Sequence, residues 1–281
     1  MAATHDLRLL ICWPVLLASL ITGLVTTSSC VVNDYFDYRA GTDLDDEKNL
    51  LNEGEVSLEE VKKFVARLYS VLLYLICLAP TAPMRLMLMG GAVSTFLYTK
   101  HLKPITWLKN LSVAFICTMA PVVGGMAAVL PFSVFSPASG STLLGLAVAL
   151  FLGVVHRELL MDVTDVASDA ATGVATVPVV SGKRHAAKCS TAFAVAMAAV
   201  CAIASSSPLN AVGRINYRRW AGILGSLRMA QRAFSVYQKC GSGRGDENES
   251  ADSDDAAIDA AAQAAIDESQ WTFVAILASF L

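Results

Sequence analysis

Charge is scarce in this chain: Asp, Glu, Lys and Arg make up 16% of its 281 residues, against 55% hydrophobic ones. With a mean hydropathy of +0.54, that scarcity excludes an ordinary soluble domain and points to an integral membrane protein. A basic surface is lacking too. The net charge of -3 and a pI near 5.8 give nucleic acid nothing to bind, so it is excluded as a partner. Zinc-ligand spacing is absent. The seven cysteines are scattered, most of them inside apolar runs, where they act as small hydrophobes rather than as a disulfide framework. The first apolar run has no small-x-small cleavage site, so it reads as a retained helix and not as a signal peptide. No internal repeat is visible.

What is abundant is apolar sequence in blocks of membrane-crossing length. They fall at 9–32, 64–82, 84–99, 110–130, 141–161, 189–206 and 217–237, close to the ~20 residues a spanning helix needs. An eighth begins near Trp271 and runs to Leu281. Pro80 and Pro83 separate the second block from the third, because proline removes a donor and restricts the residue before it. The expectation is an all-α, polytopic transmembrane bundle of about eight helices. If the blocks alternate sides, one face collects Arg39, Lys62, Lys63, Lys103, Lys109 and Lys183 among others, while the other holds little beyond Arg85 and Arg214. The positive-inside rule makes the first face cytoplasmic or its organellar equivalent. The stretch 241–268 differs from the rest, being acidic and Ser/Ala-rich. Its composition reads as a solvated connecting segment whose latter part is open to helix formation.

Two acidic clusters fall on that first face. One is Asn33-Asp34-Tyr35-Phe36-Asp37, followed by Asp43; the other is Asp162-Val163-Thr164-Asp165, followed by Asp169. A single carboxylate at a helix end is commonly a solvated cap, but two clusters on one side of a membrane ask for a partner. Residues three or four apart share a helix face, which groups Asn33, Asp34 and Asp37, and likewise the ladder Glu158, Asp162, Asp165 and Asp169. Oxygen-only clusters suit hard cations, and Mg²⁺ commonly shares one or two carboxylates with substrate phosphates. Neither segment has the ligand alternation, central Gly and terminal Glu of an EF-hand. The clusters therefore point to two acidic faces holding Mg²⁺ and a diphosphate.

These residues resemble the signatures of the UbiA superfamily of intramembrane prenyltransferases, N-D-x-x-D with a further acidic residue and D-x-x-D-x-x-x-D. The run Gly173 to Val179 after the second cluster is similar to the family's Gly, Thr, Pro and apolar sequence. So is the block Tyr98-Thr99-Lys100-His101-Leu102-Lys103 between them. The likeness covers residues 9–281 as one membrane domain, and the family architecture is nine helices around a central cavity. The resemblance implies catalytic and metal-binding roles for Asp34, Asp37, Asp162 and Asp165, with Asp43 and Asp169 as further metal ligands. It implies substrate contacts for Asn33, Tyr98, Lys103 and Asn110, with Lys109 a further candidate. Where the family has an Arg-Pro pair, this chain has Lys48-Asn49, so Lys48 stands in for a guanidinium. One apolar block precedes the first motif where the family has two.

The function so implied is transfer of a polyprenyl group from its diphosphate to an aromatic or lipid acceptor in the bilayer. Mg²⁺ assists ionisation to an allylic cation. Two other readings stand beside it: an inactive or truncated relative, and an ion or small-molecule transporter. A transporter would place polar residues in mid-span, whereas positions 141–157 are almost wholly apolar up to His156 and Arg157.

Overall fold

The computed structural model describes residues 11–41, 51, 54–129, 137–204, 217–242 and 251–280. Asp43 and Lys48 lie outside them. Every regular element among the described residues is helical: α1 Trp13–Ala40, α2 Leu58–Cys77, α3 Ala82–Leu97, α4 Thr106–Val129, α5 Pro137–Thr164, α6 Val166–Ala171, α7 Val177–Ser181, α8 Lys183–Ala204, α9 Tyr217–Ser242 and α10 Ala251–Phe280. A five-residue π-helical turn, Tyr98–Leu102, follows α3. Eight of the helices are long, as the apolar blocks predict. Four segments, Trp13–Arg39, Thr106–Ala128, Leu143–Thr164 and Lys183–Ala204, are long and apolar enough to cross a membrane. α3, at 16 residues, is apolar but shorter.

Helix boundaries follow local chemistry. α1 runs on through the first acidic cluster and stops at Gly41, whose φ of 72° is the left-handed conformation that closes a helix without a Cβ clash. α2 opens with a capping box: Ser57 Oγ accepts the Glu60 N–H, and Glu60 Oε2 accepts the Ser57 N–H at 2.9 Å. The turn between α2 and α3 contains Pro80, and Pro83 sits in the first turn of α3, where its missing N–H is harmless. The link is thus 78–81, a few residues before the gap between the apolar blocks 64–82 and 84–99.

Among the described residues the chain divides into two compact units: one holds the helices up to Lys103 together with residues 119–129 of α4, the other holds residues 104–118 together with the helices from Pro137 onward. In the first unit, Leu17, Ile21 and Val25 recur every fourth residue on α1 and bury against Leu72 and Ile76 of α2 and Met84 and Leu88 of α3. In the second, Val155, Leu159 and Val163 of α5 pack with Ala186 and Ala187 of α8, Ala233 of α9, and Ala262 and Ala265 of α10. Alanines at these positions let helices approach closely, which is how helices pack where no water drives them together. Large apolar side chains also point outward, with Leu86 73%, Ile203 83% and Trp271 78% exposed. Water would penalise such a surface, and hydrocarbon does not.

Composition alone left one element's start open. Helix α10 starts at Ala251, within the stretch 241–268 expected to be a solvated connection, and continues without a break to Phe280. The reason lies in spacing: Ile258, Ala262, Ala265, Ile266 and Ser269 recur at intervals of three and four and are buried. Off that stripe, Glu268 accepts from Arg228 Nε at 2.8 Å and from Arg232 Nε.

Candidate functional site

The first acidic cluster sits on the last two turns of α1. Asp37 is buried and accepts two hydrogen bonds from Lys103 Nζ, at 2.7 and 2.9 Å. Asn33, one turn earlier, donates from Nδ2 to Asp37 Oδ2, and its Oδ1 lies 3.4 Å from Lys103 Nζ. Asp34 is on the exposed side of the same turn. Lys103 reaches Asp37 because the backbone after α3 closes a wider ring: its N–H donates to the Tyr98 carbonyl, five residues back, at 2.8 Å. Such π-turns are uncommon and concentrate at functional sites. Tyr98, half-buried, begins that turn.

The second cluster joins the end of α5 to the start of α4. Asp162 is fully buried; Oδ1 accepts from Lys109 Nζ at 2.6 Å and Oδ2 from Asn110 Nδ2 at 2.8 Å. Lys109 Nζ also lies 4.0 Å from Asp169 Oδ2. Among the described residues, two buried oxygens here have no hydrogen-bond partner, Asp169 Oδ2 and Asn110 Oδ1. Burial pushes the Asp169 carboxyl above the ordinary range, opposed by the nearby Lys109 ammonium.

The expected ladder from Glu158 to Asp169 is not one uninterrupted helix. α5 ends at Thr164, Asp165 takes φ -98° and ψ 7°, and α6 begins at Val166. Asp165 is consequently exposed, with Thr164 Oγ1 donating to it at 3.2 Å, while Asp162 points into the unit and Asp169 turns back toward Lys109. The Gly-Thr-Pro run has a structural purpose. Gly173, at φ 74°, ends α6; Thr176 precedes α7, and Pro178 lies in its first turn.

Among the described residues, no three His, Cys, Asp or Glu side chains converge as a ready metal cage. Asp37 and Asp162 are instead each matched to a lysine. Lys109, placed behind Lys103 on sequence, is the principal partner of Asp162. The adjacency Lys109-Asn110 at the head of a helix was its signal. Sequence patterns also passed over the buried pair His156 and Ser190, 2.8 Å apart from Nδ1 to Oγ, because one histidine in an apolar helix forms no pattern.

Comparison with known proteins decides the lineage. Residues 1–238 match the UbiA prenyltransferase family. The chain belongs to that family. UbiA proteins are integral to membranes, and this chain is a multi-pass membrane protein. Digeranylgeranylglyceryl phosphate synthase of Pyrococcus abyssi is 29% identical over 187 residues, covering 64% of this chain and 61% of that protein. The enzyme of the same name from Thermococcus gammatolerans is 30% identical over 208 residues, 72% and 68% of the two chains. That of Halobacterium salinarum is 33% identical over 182 residues, 63% and 60%. This chain therefore spans 60 to 68% of the length of these three relatives.

Solved structures agree on the fold. A UbiA homolog from Archaeoglobus fulgidus, bound to DMAPP and Mg²⁺, matches with a TM-score of 0.63 at 15% identity, over 92% of this chain and 87% of that one. A structure of digeranylgeranylglyceryl phosphate synthase matches at 0.60 and 18% identity, over 94% and 86%. At such identities the likeness speaks for the UbiA helix bundle alone.

Proposed function

We propose that this UbiA-family chain is a Mg²⁺-dependent prenyltransferase that moves a polyprenyl group from its diphosphate to a glycerol phosphate lipid. The observation that carries this reading is Asp162, a wholly buried carboxylate held by Lys109 and Asn110, in a cluster with spare oxygen acceptors on Asp169 and Asn110. The donor set is all oxygen, and buried acceptors without a donor fit a hard cation whose coordination is completed by diphosphate oxygens. In this proposal Asp34 and Asp37 serve as metal ligands in the first cluster, with Asp43 added from the sequence, and Asp162, Asp165 and Asp169 serve as metal ligands in the second.

Mg²⁺, when bound, offsets the diphosphate charge so that the bond to the allylic carbon breaks with its electron pair on the leaving oxygen. The remaining work falls to side chains of the chain itself. Lys103 and Lys109 now donate to carboxylates; with substrate present, each has N–H groups for diphosphate oxygens. Asn33 and Asn110 fix the neighbouring carboxylates, Tyr98 and Lys48 are assigned to the substrate, and apolar helix faces keep water from the carbocation. An acceptor hydroxyl oxygen then bonds to the allylic carbon, and its proton passes to the departing diphosphate.

The acceptor class is supported by the relatives, which are named for a glycerol phosphate carrying two geranylgeranyl groups. Membranes containing the chain, given labelled geranylgeranyl diphosphate and a choice of geranylgeranylglyceryl phosphate, 4-hydroxybenzoate and dihydroxynaphthoate, test it. Label is expected in the glycerol phosphate product. Label in an aromatic product instead would move the acceptor to the quinone-precursor class.

A further inference from the structure

The first unit contains a cavity of about 680 Å³ bordered by α1, α2 and α3. It is not on the acidic face of α1. At ~100° per residue, Asn33, Asp34 and Asp37 occupy one side of the helix, while Tyr35, Phe36 and Arg39 occupy the opposite side, and it is these last three that line the cavity. Its walls are apolar, with Phe36, Val65, Leu73, Val93 and Phe96 among them. Leu73, Val93 and Phe96 are 43, 47 and 41% exposed, so the slot opens outward rather than into the helical core.

One end of the slot is charged. Arg39, near the end of α1, and Lys62, near the start of α2, both line it. Lys62 is already matched, donating to Glu59 at 2.6 Å. Arg39 lies over the Tyr35 ring, 5.8 Å from its centroid, with Nη1 3.5 Å from the Tyr35 hydroxyl. Among the described residues, no carboxylate forms an ion pair with Arg39. From Lys62 the slot follows α2 as far as Leu73, eleven residues or about 16 Å at 1.5 Å per residue. A cation at the membrane surface and an apolar channel running inward from it are the two halves of a phospholipid site. Basic pockets between membrane helices on the cytoplasmic side bind acidic headgroups in this way, and the loop charges place this end on that side.

We infer that the slot between α1, α2 and α3 binds an anionic phospholipid, with its phosphate on Arg39 and Lys62 and an acyl chain lying along Phe36, Val65 and Val93. The site is separate from the proposed reaction, since none of its residues is assigned to it.

The test is native mass spectrometry of the full chain purified in detergent, offered equal amounts of phosphatidylglycerol and phosphatidylcholine with identical acyl chains. One basic residue with no carboxylate partner among the described residues gives an expected preference of about fivefold for phosphatidylglycerol. Arg39→Gln should remove the preference and Arg39→Lys should keep most of it. Ala66→Phe, which fills the slot from its exposed side, should lower retention of both lipids. Circular dichroism and gel filtration establish that each variant is folded, and the wild-type comparison and Ala66→Phe decide the matter if Arg39→Gln is not. Equal retention of the two lipids by the wild type, a preference unchanged in Arg39→Gln, or full retention in Ala66→Phe would overturn the assignment. So would stoichiometric displacement of phosphatidylglycerol by geranylgeranyl diphosphate, which would make the slot a donor site.

Discussion

At the scale of single residues, the two buried aspartates and their lysines depend on each other. Removing one member of a buried ion pair leaves the other uncompensated, at a cost of about 3–5 kcal/mol. Lys109→Met leaves Asp162, buried at 1% side-chain exposure, with Asn110 as its hydrogen-bond donor. Its thermal midpoint in detergent should therefore fall by several degrees, and prenyl transfer should be lost. Lys103→Met is expected to be milder in stability, since Asp37 keeps Asn33 and its side chain is 11% exposed. Comparing the two melting curves at matched protein amounts checks the order; equal shifts would contradict it. Asp34, Asp37, Asp162 and Asp165 were all legible as candidates because their spacing is that of a helix face. Their inequality was not legible. Asp162 points inward and Asp165 outward because α5 breaks between them, and no spacing rule foretells a break three residues into a motif.

At the scale of elements, the π-turn after α3 carries the clearest consequence. Its wide ring from Lys103 back to Tyr98 sets the direction in which Lys103 leaves the helix. Deleting Thr99 would let an ordinary α-helix form and rotate Lys103 by ~100°, away from Asp37. Such a variant should remain folded by circular dichroism yet lose transfer by roughly 100-fold or more, the size of effect seen when a preorganised charge-stabilising donor is removed. Full activity would show that the turn does not position Lys103. A second element-level case is Gly153, where a Cβ would come within 2.7 Å of Phe273 and 2.8 Å of Met197. Gly153→Val should destabilise the contact of α5 with α8 and α10 by about 1–3 kcal/mol, as overpacking generally does, readable as a lowered melting temperature. Helix positions were largely readable from apolar blocks and one helix break from Pro80 and Pro83, whereas the caps at Gly41 and Ser57 emerge from the structure. Composition left the latter part of 241–268 open to helix, and the buried Ile and Ala stripe of α10 shows where that helix begins.

At the scale of the whole molecule, membership of the UbiA family, a multi-pass helical fold and two acidic clusters fit one proposed activity, metal-assisted prenyl transfer. Sequence carries the donor half of that reaction, because diphosphate and cation demand carboxylates and lysines in fixed patterns. It carries little of the acceptor half, because an apolar or lipid partner is recognised by cavity shape, which many side-chain combinations can provide. The most direct measurement is the initial rate of geranylgeranyl transfer in membranes holding equal amounts of wild type and Asp162→Ala, with Mg²⁺ and after its removal by chelation. Transfer is expected for the wild type with Mg²⁺ alone, falling at least about 100-fold on chelation or in the variant. Undiminished transfer by Asp162→Ala, or by the chelated wild type, would contradict it.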